Sequence, residues 1–372
     1  MFAKHLSPLR SLEYLYVQCV ASQCSLLQKD AVMRVYFLGA GASKSFYSKL
    51  PTATELTLEG LVDPSTYEAL EQTPPCDAID ALRSFAARSG LSEAQRKQPI
   101  EEILDIFEGH RHEYLSLQFC LLGRLWLPDH VGSSLIKSWL QSIRRNGDAI
   151  ITTNYDTVLE RGVSKLTNTL DSRPMRERRL LNYGVDRDLL VPGYEMLARD
   201  AVPESITLLK LHGSISWSYC GGCRRARLDP VYKSEATDAL AGAKKCACGG
   251  ELSPILVGPA KKEYEHPVIA SILNTAEKML QQADEIIFAG FSMSSGDEAV
   301  RKLVTEAHKI ARTPRVILVD KQAERLKSVY ENIYGKSVLH VLEKGWQEYL
   351  RSVANQKVSP AQELETSRSP AV

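Results

Sequence analysis

Five short apolar runs, at residues 35–38, 148–151, 206–211, 285–289 and 315–319, lead directly into glycine, polar or acidic residues, and helical patterns stand between them. Runs this short and this rich in Val, Ile, Leu and Phe have the composition of strands buried on both faces. Strands alternating with helices predict a parallel sheet with helices packed on both sides. Such sheets collect ligands at the carboxyl ends of their strands. The expected class is therefore α/β, a Rossmann-like doubly wound parallel sheet.

The strand ends carry the chemistry. Gly39-Ala40-Gly41-Ala42-Ser43 follows the first run. Glycine leaves no side chain between backbone and ligand, so a tight glycine turn can aim N–H groups at a pyrophosphate. The full GxGxxG spacing is absent, because Lys44 stands where the third glycine would be. An ordinary strand-to-helix turn is the other reading. Thr152-Thr153-Asn154-Tyr155-Asp156 follows the second run. Its amide and carboxylate suit a carboxamide and ribose hydroxyls, or they cap the next helix. His212, with Gly213 and Ser214, closes the third run; a neutral imidazole there can take a proton near pH 7, or serve as a structural histidine. Gly290-Phe291-Ser292 closes the fourth, where Gly290 could serve close packing alone. Asp320 closes the fifth, placed either to accept from adenosine ribose hydroxyls or to cap the helix after it.

Cys220, Cys223, Cys246 and Cys248 form two tight pairs, whereas Cys19, Cys24, Cys76 and Cys120 are scattered. Paired thiolates at this spacing read as ligands of a structural zinc with no open position for substrate. No His or carboxylate accompanies them, which argues against a catalytic zinc; a redox dithiol is the alternative. The pattern fits a reducing cytoplasm rather than a secreted disulfide framework.

Between the first two strands, residues 51–146 carry only helical patterns, at 54–62, 65–72, 78–88, 100–107 and 114–127, and read as an inserted helical lobe. The expected layout is an extension over 1–32 with Met33 as an alternative start, a domain over 33–354 containing that lobe and a zinc-ribbon module over 215–253, and a disordered tail over 355–372. Net charge is +1, so no whole-molecule field attracts nucleic acid or an anionic membrane. No run approaches the ~18 apolar residues of a membrane span.

Taken together, the residues at 39–43, 152–156, 211–214 and 290–292 and the paired cysteines resemble the sirtuin superfamily in identity and order. The resemblance covers roughly residues 33–330 and is closest to divergent bacterial sirtuin-like domains, some of which hydrolyse NAD in anti-phage defence. It implies that Gly39, Ala40, Gly41 and Ser43 lie around the NAD phosphates. Asn154 and Asp156 match the pair near the nicotinamide ribose and carboxamide, with Thr153 standing in place of the usual glutamine. His212 matches the catalytic base, Gly290 and Ser292 match later phosphate and ribose contacts, and the cysteines match a structural zinc module. Besides Thr153 and a lobe at 51–146 far larger than a cofactor-binding loop, two further departures weaken a deacylase reading more than an NAD reading. Lys49-Leu50-Pro51-Thr52-Ala53-Thr54 lacks the family's Phe and Arg. Gly258-Pro259-Ala260 occupies roughly the place of the segment that pairs with an acyl-lysine peptide.

The expectation is an NAD-consuming enzyme that cleaves the nicotinamide–ribose bond, with NAD hydrolysis ahead of NAD-dependent lysine deacylation. The rivals are a non-catalytic NAD or ADP-ribose sensor and a zinc-ribbon interaction protein. Self-association or a partner defence protein is the further association expected, with no membrane and no nucleic acid.

Overall fold

The computed structural model describes residues 32–67, 74, 76–107, 110–125, 127, 134–166, 180–200, 205–229, 245–256, 265–293, 297–310 and 313–356. The proposed extension over 1–32, apart from its last residue, lies outside these, as do Gly258-Pro259-Ala260 and residues 357–372 of the tail. In chain order the strands are β1 (Arg34–Leu38), β2 (Ala149–Thr152), β3 (Leu181–Asn182), β4 (Ile206–Lys210), β5 (Gly213–Cys220), β6 (Arg225–Leu228), β7 (Leu252–Leu256), β8 (Glu285–Ala289), β9 (Arg315–Asp320) and β10 (Leu339–Glu343). The α-helices are α1 (Ala40–Phe46), α2 (Leu58–Val62), α3 (Cys76–Arg88), α4 (Glu93–Arg96), α5 (Arg111–Leu125), α6 (Ser134–Asn146), α7 (Val158–Ser164), α8 (Pro267–Gln282), α9 (Glu298–Ile310), α10 (Ala323–Tyr334) and α11 (Trp346–Gln356).

Seven strands form one parallel sheet in the order β10-β9-β8-β1-β2-β4-β3. This is the expected Rossmann-like doubly wound α/β sheet. The chain steps from β1 out to β3 on one side, then returns to β8 on the other, so the switch of direction falls between β1 and β8.

Successive residues of β1 show how both faces are covered, because side chains alternate along a strand. The Tyr36 ring meets Trp139 of α6 at 5.3 Å and Trp346 of α11 at 6.0 Å, both edge-on. The Phe37 ring meets Phe288 of β8 at 5.3 Å and Phe291 at 4.7 Å, and Phe288 in turn contacts Tyr330 of α10. Aromatic pairs at these spacings add to burial on each side.

Two appendages leave the sheet. Between β1 and β2, α2, α3 and α5 with their connecting turns bury a separate apolar cluster that includes Leu58, Leu61, Tyr67, Leu82, Phe85 and Leu121. The segment at 100–107 folds as a 3₁₀ helix. Helix α6, inside the span read as the lobe, instead packs Ile136, Trp139, Leu140 and Ile143 into the core of the main sheet. The second appendage is an antiparallel sheet in the order β6-β5-β7, which carries the cysteines. Among the described residues no helix is long and apolar enough to cross a membrane.

Candidate functional site

The turns after β1 and β8 touch backbone to backbone at the switch point. The Gly39 amide donates to the Ala289 carbonyl at 3.0 Å, and the Gly41 amide to the Gly290 carbonyl at 3.1 Å. A methyl group on Gly39 would lie 2.3 Å from the Gly290 oxygen, and one on Gly290 would lie 2.2 Å from the Ala42 nitrogen. Gly290 also has φ +57°, in the left-handed region. These glycines therefore permit the close approach of two turns. The Gly39, Gly41 and Ala42 amides, expected to face an anion, are engaged by the Ala289, Gly290 and Gly39 carbonyls. Ala40 and Ser43 complete the first turn of α1.

The turn after β2 is stitched to this pair. The Asn154 side-chain amide donates to the Gly39 carbonyl at 2.9 Å and to Ser43 Oγ at 2.8 Å. Its backbone amide donates to Thr152 Oγ1 at 3.1 Å, and that hydroxyl donates to the Leu38 carbonyl at 2.8 Å. Asn154 thus bridges two strand ends rather than capping a helix. Asp156 takes the capping role: its Oδ1 accepts from the Val158 amide at 3.0 Å at the start of α7.

The turn after β4 joins from the far side. The Leu211 amide donates to the Thr152 carbonyl at 2.8 Å, and the Ile215 amide to the Tyr155 carbonyl at 3.1 Å. Lys210 Nζ donates to the Asp156 carbonyl and pairs with Glu160 of α7 at 2.9 Å, both side chains being only 1 % exposed. Burial pushes the Glu160 carboxyl above the usual carboxylate range, and the Lys210 ammonium pulls it back in part. His212 is wholly buried at 0 % exposure, its ring centroid 5.8 Å from that of Tyr155. Its Nε2 lies 3.3 Å from Asp297 Oδ1, in ion-pair range but without hydrogen-bond alignment.

Gly39, Ser43, Asn154, Asp156, His212 and Gly290 are thereby linked through neighbouring turns. Thr153 is half-buried and Ser292 exposed, and among the described residues neither side chain bonds to that group. Asp320 is half-buried, and its Oδ1 accepts from the Gln322 amide at 2.7 Å, a local turn bond. Lys210, Glu160, Tyr155 and Asp297 were not singled out from sequence. Lys210 had a signal, as a cation inside an otherwise apolar run before His212, and Glu160 stands among apolar neighbours in α7.

In the small sheet the four cysteine sulfurs lie within 4.8 Å of one another. Cys220 and Cys248 Sγ are 3.4 Å apart, and Cys223 and Cys246 Sγ are 3.6 Å apart. A tetrahedral ion with S–Zn bonds of ~2.3 Å sets its sulfurs ~3.8 Å apart, so the donor set fits a metal. The Cys223 and Gly250 amides donate to Cys220 and Cys248 Sγ, supporting thiolate charge. A methyl on Gly250 would lie 2.7 Å from Cys220 Sγ, so the turn has room only for glycine there. Leu252 is the one other buried apolar residue in this cluster among the described residues, too little for a core of its own.

A family model described as a SIR2-like domain matches residues 148–339. No curated protein sequence matches. A solved structure of Sir2 with the inhibitor EX-527, 2'-O-acetyl-ADP-ribose and a deacetylated p53 peptide aligns at TM-score 0.47 and 14% identity, covering 91% of this chain and 99% of that one. A Sir2 homologue–NAD complex aligns at 0.46 and 16% identity, covering 89% and 93%.

Proposed function

The chain belongs to the SIR2-like domain family, and from that premise we propose that it consumes NAD by breaking the bond between nicotinamide and ribose. The observation that carries this reading is the pair of bonds from the Asn154 amide to the Gly39 carbonyl and Ser43 Oγ. They hold the candidate nicotinamide-ribose residues against the candidate phosphate turn before any ligand arrives, which lowers the ordering cost of binding.

In this reading Gly39, Ala40, Gly41 and Ser43 lie along the pyrophosphate, with Gly290 and Ser292 beside them and Asp320 toward the adenosine ribose. Asp156 and Thr153 orient the carboxamide side. The C1'–nitrogen bond breaks and its electron pair leaves with nicotinamide. Water, placed by Asn154, adds at C1' and its proton passes to His212. NAD and water thus give nicotinamide, ADP-ribose and a proton. His212 is sealed from solvent, so turnover requires the crevice to open first. A sealed base suits an enzyme kept silent until triggered, as anti-phage defence demands.

The test is nicotinamide release from NAD by the purified protein, followed by chromatography. Release without added peptide is the expected result, and Asn154→Ala or His212→Ala should each lower it by about a hundredfold or more. Release only with an acetylated peptide would move the assignment to lysine deacylation. Calorimetric binding of NAD with no release would leave a sensor, and neither binding nor release would overturn the reading.

The cysteine cluster is proposed to hold one structural zinc in Cys220, Cys223, Cys246 and Cys248. The ion would staple two turns that bury almost no apolar surface. Elemental analysis should find one zinc per chain. Cys220→Ser should abolish that content and lower the melting temperature by several degrees. Full metal content in that variant would refute the ligand set.

A further inference from the structure

We propose that Asp297 is a positioning residue for His212: its carboxylate, within ion-pair reach of the ring, stabilises the imidazolium formed when His212 takes a proton. In its catalytic part this rests on the NAD-cleavage reading above.

Burial is the first reason. A buried carboxylate is costly unless something compensates its charge. Asp297 is buried immediately before α9, in the position of a helix cap. Yet among the described residues its side chain accepts no hydrogen bond from the α9 amides. Its backbone carbonyl accepts from the Arg301 amide at 2.9 Å, which anchors the residue to the helix. Capping therefore accounts for the backbone and not for the carboxylate, whose Oδ1 stands 3.3 Å from His212 Nε2.

The second reason is what His212 needs. Full burial disfavours an imidazolium, so a wholly buried base is a poor proton acceptor unless an anion faces it. A carboxylate within ion-pair reach of the ring offsets part of that cost once the proton is taken. Besides Asp297, the charged groups on the turns flanking His212 and on α7 are Asp156, the buried cation Arg161, Glu160 and Lys210. The last two pair with each other, and Asp156 Oδ1 is engaged by the Val158 amide. The Tyr155 ring covers a further side of the imidazole. Asp297 is thus the carboxylate placed to act on it.

The experiment uses the full chain labelled with ¹⁵N-histidine, with the His212 signal assigned by its loss in His212→Gln. In the wild type the imidazole shifts should report the His212 protonation midpoint. In Asp297→Asn that midpoint should fall by about one pH unit or more. In nicotinamide release, kcat for Asp297→Asn should drop roughly ten- to a hundredfold with KM for NAD within about twofold. Asp297→Glu should restore part of it. An unchanged His212 midpoint in Asp297→Asn would overturn the proposal. A wild-type protein that releases no nicotinamide would instead sink the reaction assignment, and the spectra would still decide the pair.

Discussion

A Lys210→Met variant should lose about 3–5 kcal/mol of folding stability, because it strands a carboxylate in the interior. Lys210 and Glu160 bury their charges together, and Glu160 Oε2 already lacks a hydrogen-bond partner. With the ammonium gone, the main opposition to the burial that raises the Glu160 carboxyl is lost. The pH dependence follows from that direction. A carboxyl whose folded pKa lies above its unfolded value favours the fold below the unfolded value, near 4.5, and that advantage is lost as pH rises through the folded pKa. The Lys210→Met deficit should therefore be largest near neutral pH and shrink toward pH 4.5. Urea melts at two pH values measure it. Removing both charges in Lys210→Met/Glu160→Leu should recover most of the loss. A deficit of equal size at both pH values, or no recovery in the double variant, would mean the pair is not what holds this region. The Lys210 ammonium also grips the Asp156 carbonyl, so the proposed nicotinamide release should fall further than stability alone explains.

Gly290→Ala should be equally severe, for a steric reason. The new methyl would meet backbone, 2.2 Å from the Ala42 nitrogen and 2.5 Å from the Gly41 carbonyl carbon. Backbone at that distance cannot step aside as a flexible side chain can, so the turns after β1 and β8 must separate. The left-handed φ adds roughly 1–2 kcal/mol for alanine. Gly147→Ala is the control: it has φ +71° just after the end of α6 and nothing within 4 Å of the added carbon. It should show only the conformational cost. A loss of about 4 kcal/mol or more at Gly290 against about 1–2 kcal/mol at Gly147 is expected by denaturant titration. Similar losses at the two would show that close approach does not matter.

The central strands were legible because each is a continuous apolar run, and being covered on both faces demands that composition. β10 was not, since Leu339–Glu343 mixes half-buried and exposed residues at the sheet's edge. Nor was β5, where serines alternate with large side chains ahead of Cys220. At the site, residues lying at strand ends could be named from the chain, because the topology gathers those ends. Their partners could not. Glu160 and Asp297 meet Lys210 and His212 only after the helices have docked, and periodicity carries no trace of such long-range pairs. The glycine turn shows a further ambiguity. The same residues suit an anion and a neighbouring backbone, and in the fold Gly39 and Gly41 give their amides to the end of β8 and the turn after it.

The Tyr114 hydroxyl of α5 donates to the Leu256 carbonyl at 3.2 Å, across 142 residues of chain. Leu256 ends β7, whose other end emerges from the Cys248–Gly250 turn. Five residues of extended strand, about 17 Å long, therefore run as a lever arm from the sulfur knuckle to the helical insertion. The two appendages are geared to each other as well as to the sheet. Removal of the zinc proposed for the knuckle should be felt at that distance, as faster deuterium uptake along α5.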